Sequence, residues 1–192
     1  MISFKTYKKI ASPETPFLTL PETKKHLAIE ECDTHNDDLI LSFILAAQEN
    51  IEKRLCLTLT ATQYAGSVSS ADVQAGCMVS FPMGETLPLE VTVTTADGEA
   101  LPASRYTVDT FNVPGNITFF AGSVASGDVI VTWYAGHSDP LLIPQNIKVA
   151  GKQMVAHFYD HRESVADGGT LEVPMSTVML LASSSHNGMY YW

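Results

Sequence analysis

The side chains with the clearest potential for chemistry are two histidines, His157 and His161, in a segment with helical periodicity. A spacing of four residues places both imidazoles on one face of a helix, where they could bind zinc. The metalloprotease form of this motif needs a glutamate directly after the first histidine, but Phe158 stands there. Because no third ligand lies at a recognisable spacing, we interpret both as surface or interface histidines and keep a metal-dependent hydrolase as an alternative.

Other combinations of reactive side chains are weaker still. Cys32 and His35 form an isolated C-x-x-H pair, and Cys32, Cys56 and Cys77 match neither a closed disulfide framework nor paired CxxC zinc ligands. The chain has no G-x-S-x-G, P-loop or G-x-G-x-x-G motif. The acidic pair Asp37-Asp38 stands where a helix begins, which favours capping over acid–base catalysis. We therefore predict no enzyme activity, no cofactor and no metal.

The composition excludes further classes of function. The 192 residues are 45% hydrophobic and 17% charged, which is typical of a folded domain. A net charge of −10 has the wrong sign for holding nucleic acid through its phosphates, and the middle segment 57–142 contains Arg105 as its single basic residue. No run approaches the roughly 18 apolar residues that span a bilayer, and the first residues do not resemble a signal peptide. We expect a soluble protein that makes no membrane contact.

The strongest local pattern is an amphipathic helix over residues 37–55. Apolar residues recur there at intervals of three and four, and polar residues such as Gln48 and Glu52 are expected on the other faces. A second long helix is predicted over 144–161, with Pro144 in its first turn. Each helix has one apolar stripe, so the two are predicted to pack together.

Two shorter helices complete the helical segments. The capping box Thr19-Leu20-Pro21-Glu22 opens a helix through about Ile29, and another helix follows Val173-Pro174. Between the long helices the sequence alternates with the period of strands, most clearly over 128–134, and Asp97-Gly98 marks a hairpin turn. We predict one small antiparallel sheet of roughly five to seven strands, with further strands at 58–65, 77–81, 89–94, 104–108 and 116–120.

The predicted fold class is α+β: a small helical bundle, with long helices near 37–55 and 144–161, and an inserted antiparallel β-sheet segment. We expect a single domain over residues 1–182, followed by a C-terminal tail, 183–192. Within the domain the helical, β-rich and helical segments are 17–56, 57–142 and 143–182.

Several short segments of the sequence occur in the same order and at similar spacings as in a known protein family. The match is strongest from Ile143 to Lys148 and from Met154 to Glu163, followed by Val173-Pro174. Earlier matching segments are Leu18 to Leu27, Asp37 to Ile40, Leu87 to Val91, Asp97-Gly98, Arg105 to Asp109 and Val129 to Gly136. In this order the chain resembles the phage head-tail connector family, also called adaptor or head-completion proteins, over about residues 17–182. It departs from the family pattern in the stretch between Ser67 and Gly76 and in the tail.

The resemblance implies a structural virion protein that forms a ring beneath the portal, extends the DNA channel and joins the phage head to the tail. The implied partners are further copies of the chain in a homo-oligomeric, dodecameric ring, the portal protein, a tail-side stopper or tail-terminator protein, and genomic DNA that passes without sequence readout. The implied location is the head-tail junction of the virion, and the host cytoplasm during assembly. A β-rich binding module of a tail or baseplate is the alternative.

The predicted subunit interface combines cations at the edges of the helical stripes with aromatic groups at the end of the chain. The cations are expected to meet carboxylates of a neighbour's acidic middle segment; such exposed pairs contribute about 0–1 kcal/mol each, so the ring should be sensitive to salt. Aromatic side chains are frequent interface anchors, which predicts that the tail docks into a neighbouring subunit or the portal. The alternative is that the tail folds back onto the sheet of its own domain. The interface residues are Lys53, Arg54, Arg162, Met189, Tyr190, Tyr191 and Trp192.

Overall fold

The chain divides into two units, each of which is built from two separate stretches of sequence. The β unit combines Met1–Glu14 with Thr60–Ser138, and the helical unit combines Thr15–Leu59 with Asp139–Trp192. The β unit therefore includes the N-terminal residues as well as the predicted β-rich segment. The structure is a computed structural model, and it describes residues 3–11, 15–82, 91–112, 114–123, 127–161 and 175–182.

The α+β class is confirmed by the order of the elements. The helices and strands of the described residues are β1 (Thr6–Ala11), α1 (Leu20–His26), α2 (Asp37–Leu55), β2 (Thr62–Val68), α3 (Ser70–Gln74), β3 (Met78–Ser80), β4 (Thr92–Thr95), β5 (Tyr106–Asp109), β6 (Asn116–Phe119), β7 (Val129–Ala135), α4 (Gln145–Asp160) and α5 (Met175–Ala182).

Helix α2 has the bounds that its periodicity predicts. Its apolar stripe, Ile40, Ile44, Ala47 and Ile51, is fully buried, which is the reason this segment is helical in the folded chain. The helix ends at Cys56, whose backbone is left-handed (φ 51°) and whose N–H donates to the carbonyl of the fourth residue before it. The spacing of the apolar residues therefore predicts the buried apolar stripe of this helix.

The predicted packing of the two long helices is confirmed. Ile147, Ala150 and Met154 of α4 join the α2 stripe in one hydrophobic core, together with Leu181 of α5. Phe17 lies directly over Gly151 in α4, where an added Cβ would come within 2.5 Å of the Phe17 Cε2 atom. This glycine allows the chain before α1 to pack against α4.

Two polar residues of α2 are buried, contrary to the expected solvent-facing position. The Gln48 Oε1 atom accepts a hydrogen bond from the Phe17 N–H (3.2 Å), and Gln48 Nε2 donates to Glu52 Oε1 (3.1 Å). Glu52 Oε1 also accepts from the Leu59 N–H (3.0 Å). The Gln48 and Glu52 side chains therefore accept hydrogen bonds from one backbone N–H before α1 and one after α2. Without these acceptors the two buried N–H groups would lack a partner.

Over its described residues, the β unit contains two antiparallel sheets instead of the single predicted sheet. The larger has the strand order β1-β2-β7-β4, and the smaller has the order β3-β6-β5. Val79, Ile117 and Phe119 of the smaller sheet share one hydrophobic core with Val131 and Trp133 of the larger. Alternation along a strand shows that one face is buried but does not specify which strand lies beside it, and for this reason the prediction of one sheet was wrong.

Two elements of the β unit are absent from the sequence-based prediction. All six side chains of β1 are exposed, so this strand has no apolar–polar alternation to reveal it. It is formed by backbone pairing with β2, in which Lys8 lies opposite Ala65. Helix α3 has only five residues; its N-cap Ser69 accepts from the Asp72 N–H, and Val73 is its buried residue. The strand β1 therefore depends on a partner strand distant in sequence, and the helix α3 depends on its local N-cap.

Candidate interaction surfaces

The two predicted interface cations that the structure describes lie side by side in the last turn of α2. Lys53 and Arg54 are both exposed. The Lys53 Nζ atom lies 3.5 Å from Glu49 Oε2, a pair spaced i, i+4 on the helix surface. Such a pair contributes about 0.3–0.5 kcal/mol, which leaves both cations available to a partner. Their role at an interface stays a prediction.

The remaining predicted interface residues lie outside the described residues. These are Arg162 and the aromatic end of the tail, Met189, Tyr190, Tyr191 and Trp192. The structure therefore brings together the pair Lys53 and Arg54 and leaves the predicted docking of the tail as a hypothesis.

The loop between β5 and β6 presents an aromatic side chain that the sequence interpretation missed. Phe111 is 100% exposed. The loop around it is ordered by Asp109, whose Oδ1 accepts from the Phe111 N–H (3.0 Å) and whose Oδ2 accepts from Asn112 Nδ2 (2.7 Å). An aspartate two residues before an aromatic residue and three before an asparagine is the signal that could have indicated this Asx turn. A fully exposed phenylalanine on a structured loop is suited to contact with another protein.

A second exposed apolar group lies on the turn that precedes α4. Leu141 and Leu142 are exposed in a short 3₁₀ helix. The N-cap residue Asp139 accepts from the Leu141 N–H through Oδ1 (2.8 Å), which fixes the turn. Ile143, the next residue, is buried in the helical core. The turn is thus anchored on one side and presents two leucines to solvent on the other.

Helix α1 is held in the helical unit by two ion pairs. The Lys24 Nζ atom lies 2.5 Å from Asp37 Oδ1 at the start of α2, and the Lys152 Nζ atom of α4 lies 2.5 Å from Glu22 Oε1. Asp37 therefore pairs with a buried lysine in addition to favouring the start of its helix. An open pocket lies beside α1; it is lined by Pro21, Glu22, Lys24, Lys25, Ile29 and Glu31. The Lys24 and Glu22 side chains that line it are already engaged in these ion pairs, so we assign the pocket no ligand.

The histidine pair is placed as its spacing predicts. The ring centroids of His157 and His161 are 4.6 Å apart at the end of α4. His161 Nδ1 lies 3.0 Å from the His157 carbonyl oxygen, so this ring contacts one of the last carbonyls of the helix. Over the described parts of the chain, no group of three or more histidine, cysteine or acidic side chains is arranged to hold a metal ion. The contact between the His161 ring and the His157 carbonyl is typical of histidines at the C-terminal end of a helix.

The thiols and the helices add two further observations. Cys32 and Cys56 are exposed and Cys77 is half-buried, and all three are free. Within the part of the chain that the structure describes, no helix combines the length and the apolar character needed to cross a membrane.

The fold is similar to that of chains in gene transfer agent particles. One chain, from the neck of an empty particle computed with C6 symmetry, matches with a TM-score of 0.69 and 19% identity over 93% of this chain and 94% of that chain. A second, from the native virion, matches with a TM-score of 0.67 and 18% identity over 92% and 93%. A third, from the neck of a native particle computed with C12 symmetry, has a TM-score of 0.65 and 18% identity over 91% and 94%. At these identities the likeness shows the fold.

No family model matches the sequence, and no curated protein matches it significantly. The likeness to the particle chains extends over nearly the full length of both partners and includes both units.

Proposed function

We propose that this chain is a structural subunit of a phage-like neck, which forms a ring beneath the portal, extends the DNA channel and joins head to tail. The observation that carries the proposal is the match of more than nine-tenths of the chain to chains from necks computed with C6 and C12 symmetry. The sequence resemblance to phage head-tail connectors supports the same role independently. We include both units in one connector domain, because that match spans them together.

The surface chemistry fits an assembly subunit better than a catalyst. Phe111, Leu141 and Leu142 are exposed apolar groups on turns fixed by aspartate side chains, and they are available to contact a partner. The net charge of −10 does not neutralise phosphates, so DNA can pass along a ring of such subunits without being held. The proposed partners are other copies of the chain, the portal protein and a tail-side stopper or tail-terminator protein. The proposed location is the head-tail junction, reached from the host cytoplasm.

Native mass spectrometry and negative-stain microscopy of the purified full chain test the proposal. At low salt and high concentration we expect closed rings of twelve copies, a number compatible with both the C6 and the C12 symmetry under which the neck structures were computed, and co-purification with a portal protein. A monomer under all these conditions that also fails to bind the portal would contradict the connector role and favour the β-rich binding module. Stoichiometric zinc together with hydrolase activity would favour the metal-dependent hydrolase.

The contribution of the α2 cations is tested by Arg54→Glu. In the proposed ring this charge reversal should weaken assembly at low salt, with a smaller effect at high salt, where exposed pairs are screened. Lys25→Glu is the matched control, because Lys25 is an exposed cation on α1 and its reversal changes the net charge by the same amount. Equal ring stability for both variants would remove Arg54 from the interface.

A further inference from the structure

The first strand of the β unit presents a basic edge. β1 is the terminal strand of the larger sheet, and among the described strands it pairs with β2 alone. Lys8 and Lys9 are exposed on it, and neither makes an ion pair or side-chain hydrogen bond with another described residue. Tyr7 and Ile10 are 49% and 51% exposed on the same strand. This edge, which we call the basic edge, therefore presents two lysines and two partly exposed apolar side chains to solvent.

The opposite edge of the same sheet is acidic. After β4 the chain turns at Asp97-Gly98 and returns beside β4, where the Thr95 N–H donates to the Glu99 carbonyl (2.8 Å). Asp97 and Glu99 are both exposed, and their carboxylates have no ion pair or hydrogen bond with the described residues. This edge carries two negative charges at the turn and the returning segment.

One sheet fixes the positions of both edges. A single row of paired residues crosses it from Thr6 through Ser67, Ile130 and Thr94 to Ala100. The row has four intervals of about 4.8 Å, so the two edges lie roughly 19 Å apart on opposite sides of the sheet. The basic edge therefore cannot reach the acidic edge of its own chain.

A head-to-tail ring needs two different, complementary surfaces on opposite sides of each subunit. We propose that the basic edge of β1 in one copy docks against the acidic edge at Asp97 and Glu99 in the next copy, forming the junction between neighbouring β units. Tyr7 and Ile10 become covered in this contact. The proposal rests on the proposed function and names a surface by which the ring closes.

Two other roles could account for the exposed lysines. The first is protection: lysines on an edge strand prevent non-specific pairing with strands of other molecules, and this role needs no acidic partner. Lysine can also bind nucleic acid, but in this chain the Lys5 Nζ atom, directly before β1, lies 3.1 Å from Asp128 Oδ2. Lys5 is therefore already paired, and the net charge of −10 further disfavours binding to phosphates, so the proposal assigns the two free lysines to a protein partner.

Charge reversal on each edge separates these possibilities. The variant K8E/K9E has two acidic edges and D97K/E99K has two basic edges, so each alone should require at least a roughly tenfold higher concentration to form rings. An equimolar mixture should restore assembly, because every junction in an alternating ring then joins edges of opposite charge. A chain with all four substitutions should also form rings. K25E/R105E is the control for the net charge of K8E/K9E, because it reverses two exposed cations outside the larger sheet and changes the net charge by the same amount.

Loss of rings in both double variants, with recovery in the mixture and in the fourfold variant, supports the junction. Normal rings in either double variant would overturn it, as would a mixture that fails to recover. Normal rings of K8E/K9E with a specific loss of duplex DNA retention would assign the lysines to nucleic acid and overturn the junction. If the wild-type chain forms no ring with or without the portal, the proposed function itself fails, and the junction fails with it.

Discussion

Breaking the ion pair between Lys24 and Asp37 on one side should strongly destabilise the helical unit, because it leaves the buried Lys24 ammonium group without its charged partner. The Lys24 side chain is 3% exposed and that of Asp37 is 23% exposed. The Lys24 Nζ atom also donates to the Glu31 carbonyl oxygen at 3.2 Å. Because the ammonium group is almost fully removed from water, it depends on these two oxygen partners.

Asp37→Asn removes the negative charge and keeps the shape of the side chain. Loss of one partner from a buried ion pair typically costs about 3–5 kcal/mol, because the other charge stays buried. Asp37 is partly exposed, so water can replace some of the lost interaction, and we expect a decrease of about 2–3 kcal/mol in the free energy of unfolding. The decrease should be confined to the helical unit, which contains both residues.

Urea unfolding followed by the helical signal in circular dichroism measures this effect. Asp38→Asn is the matched control, since Asp38 lies in the same first turn but is exposed, and it should cost less than about 1 kcal/mol. The double variant Lys24→Met with Asp37→Asn should recover most of the loss, because no unpaired charge then stays buried. Equal costs for Asp37→Asn and Asp38→Asn, or no recovery in the double variant, would refute the reasoning.

Two further substitutions have defined outcomes. Gly151→Ala should destabilise the chain by up to about 2 kcal/mol in urea unfolding, because the cost of displacing the buried Phe17 ring exceeds the gain of about 1 kcal/mol in helix propensity; a more stable variant would show that the ring moves aside freely. Phe111→Ser should leave the free energy of unfolding within about 0.5 kcal/mol of wild type while weakening ring formation or portal binding; unchanged assembly would exclude Phe111 from the interfaces.

The sequence by itself determined the elements whose side chains follow a regular period. Helices α2 and α4 each bury one stripe, so the 3.6-residue pattern predicted both the segments and their mutual packing. The alternation over 128–134 likewise predicted β7, whose alternate residues are buried. From these elements the α+β class followed, because helical and alternating segments occupy separate parts of the chain.

The tertiary structure alone decided which strands are neighbours and which polar groups are buried. β1 is a strand because β2 pairs with its backbone, and an exposed edge strand leaves no pattern in its side chains. Glu52 is buried because the backbone of Leu59 needs an acceptor, and Lys24 because Asp37 lies beside it. The two charged edges of the larger sheet also arise from pairing between distant segments, and a local period carries no information about such pairs.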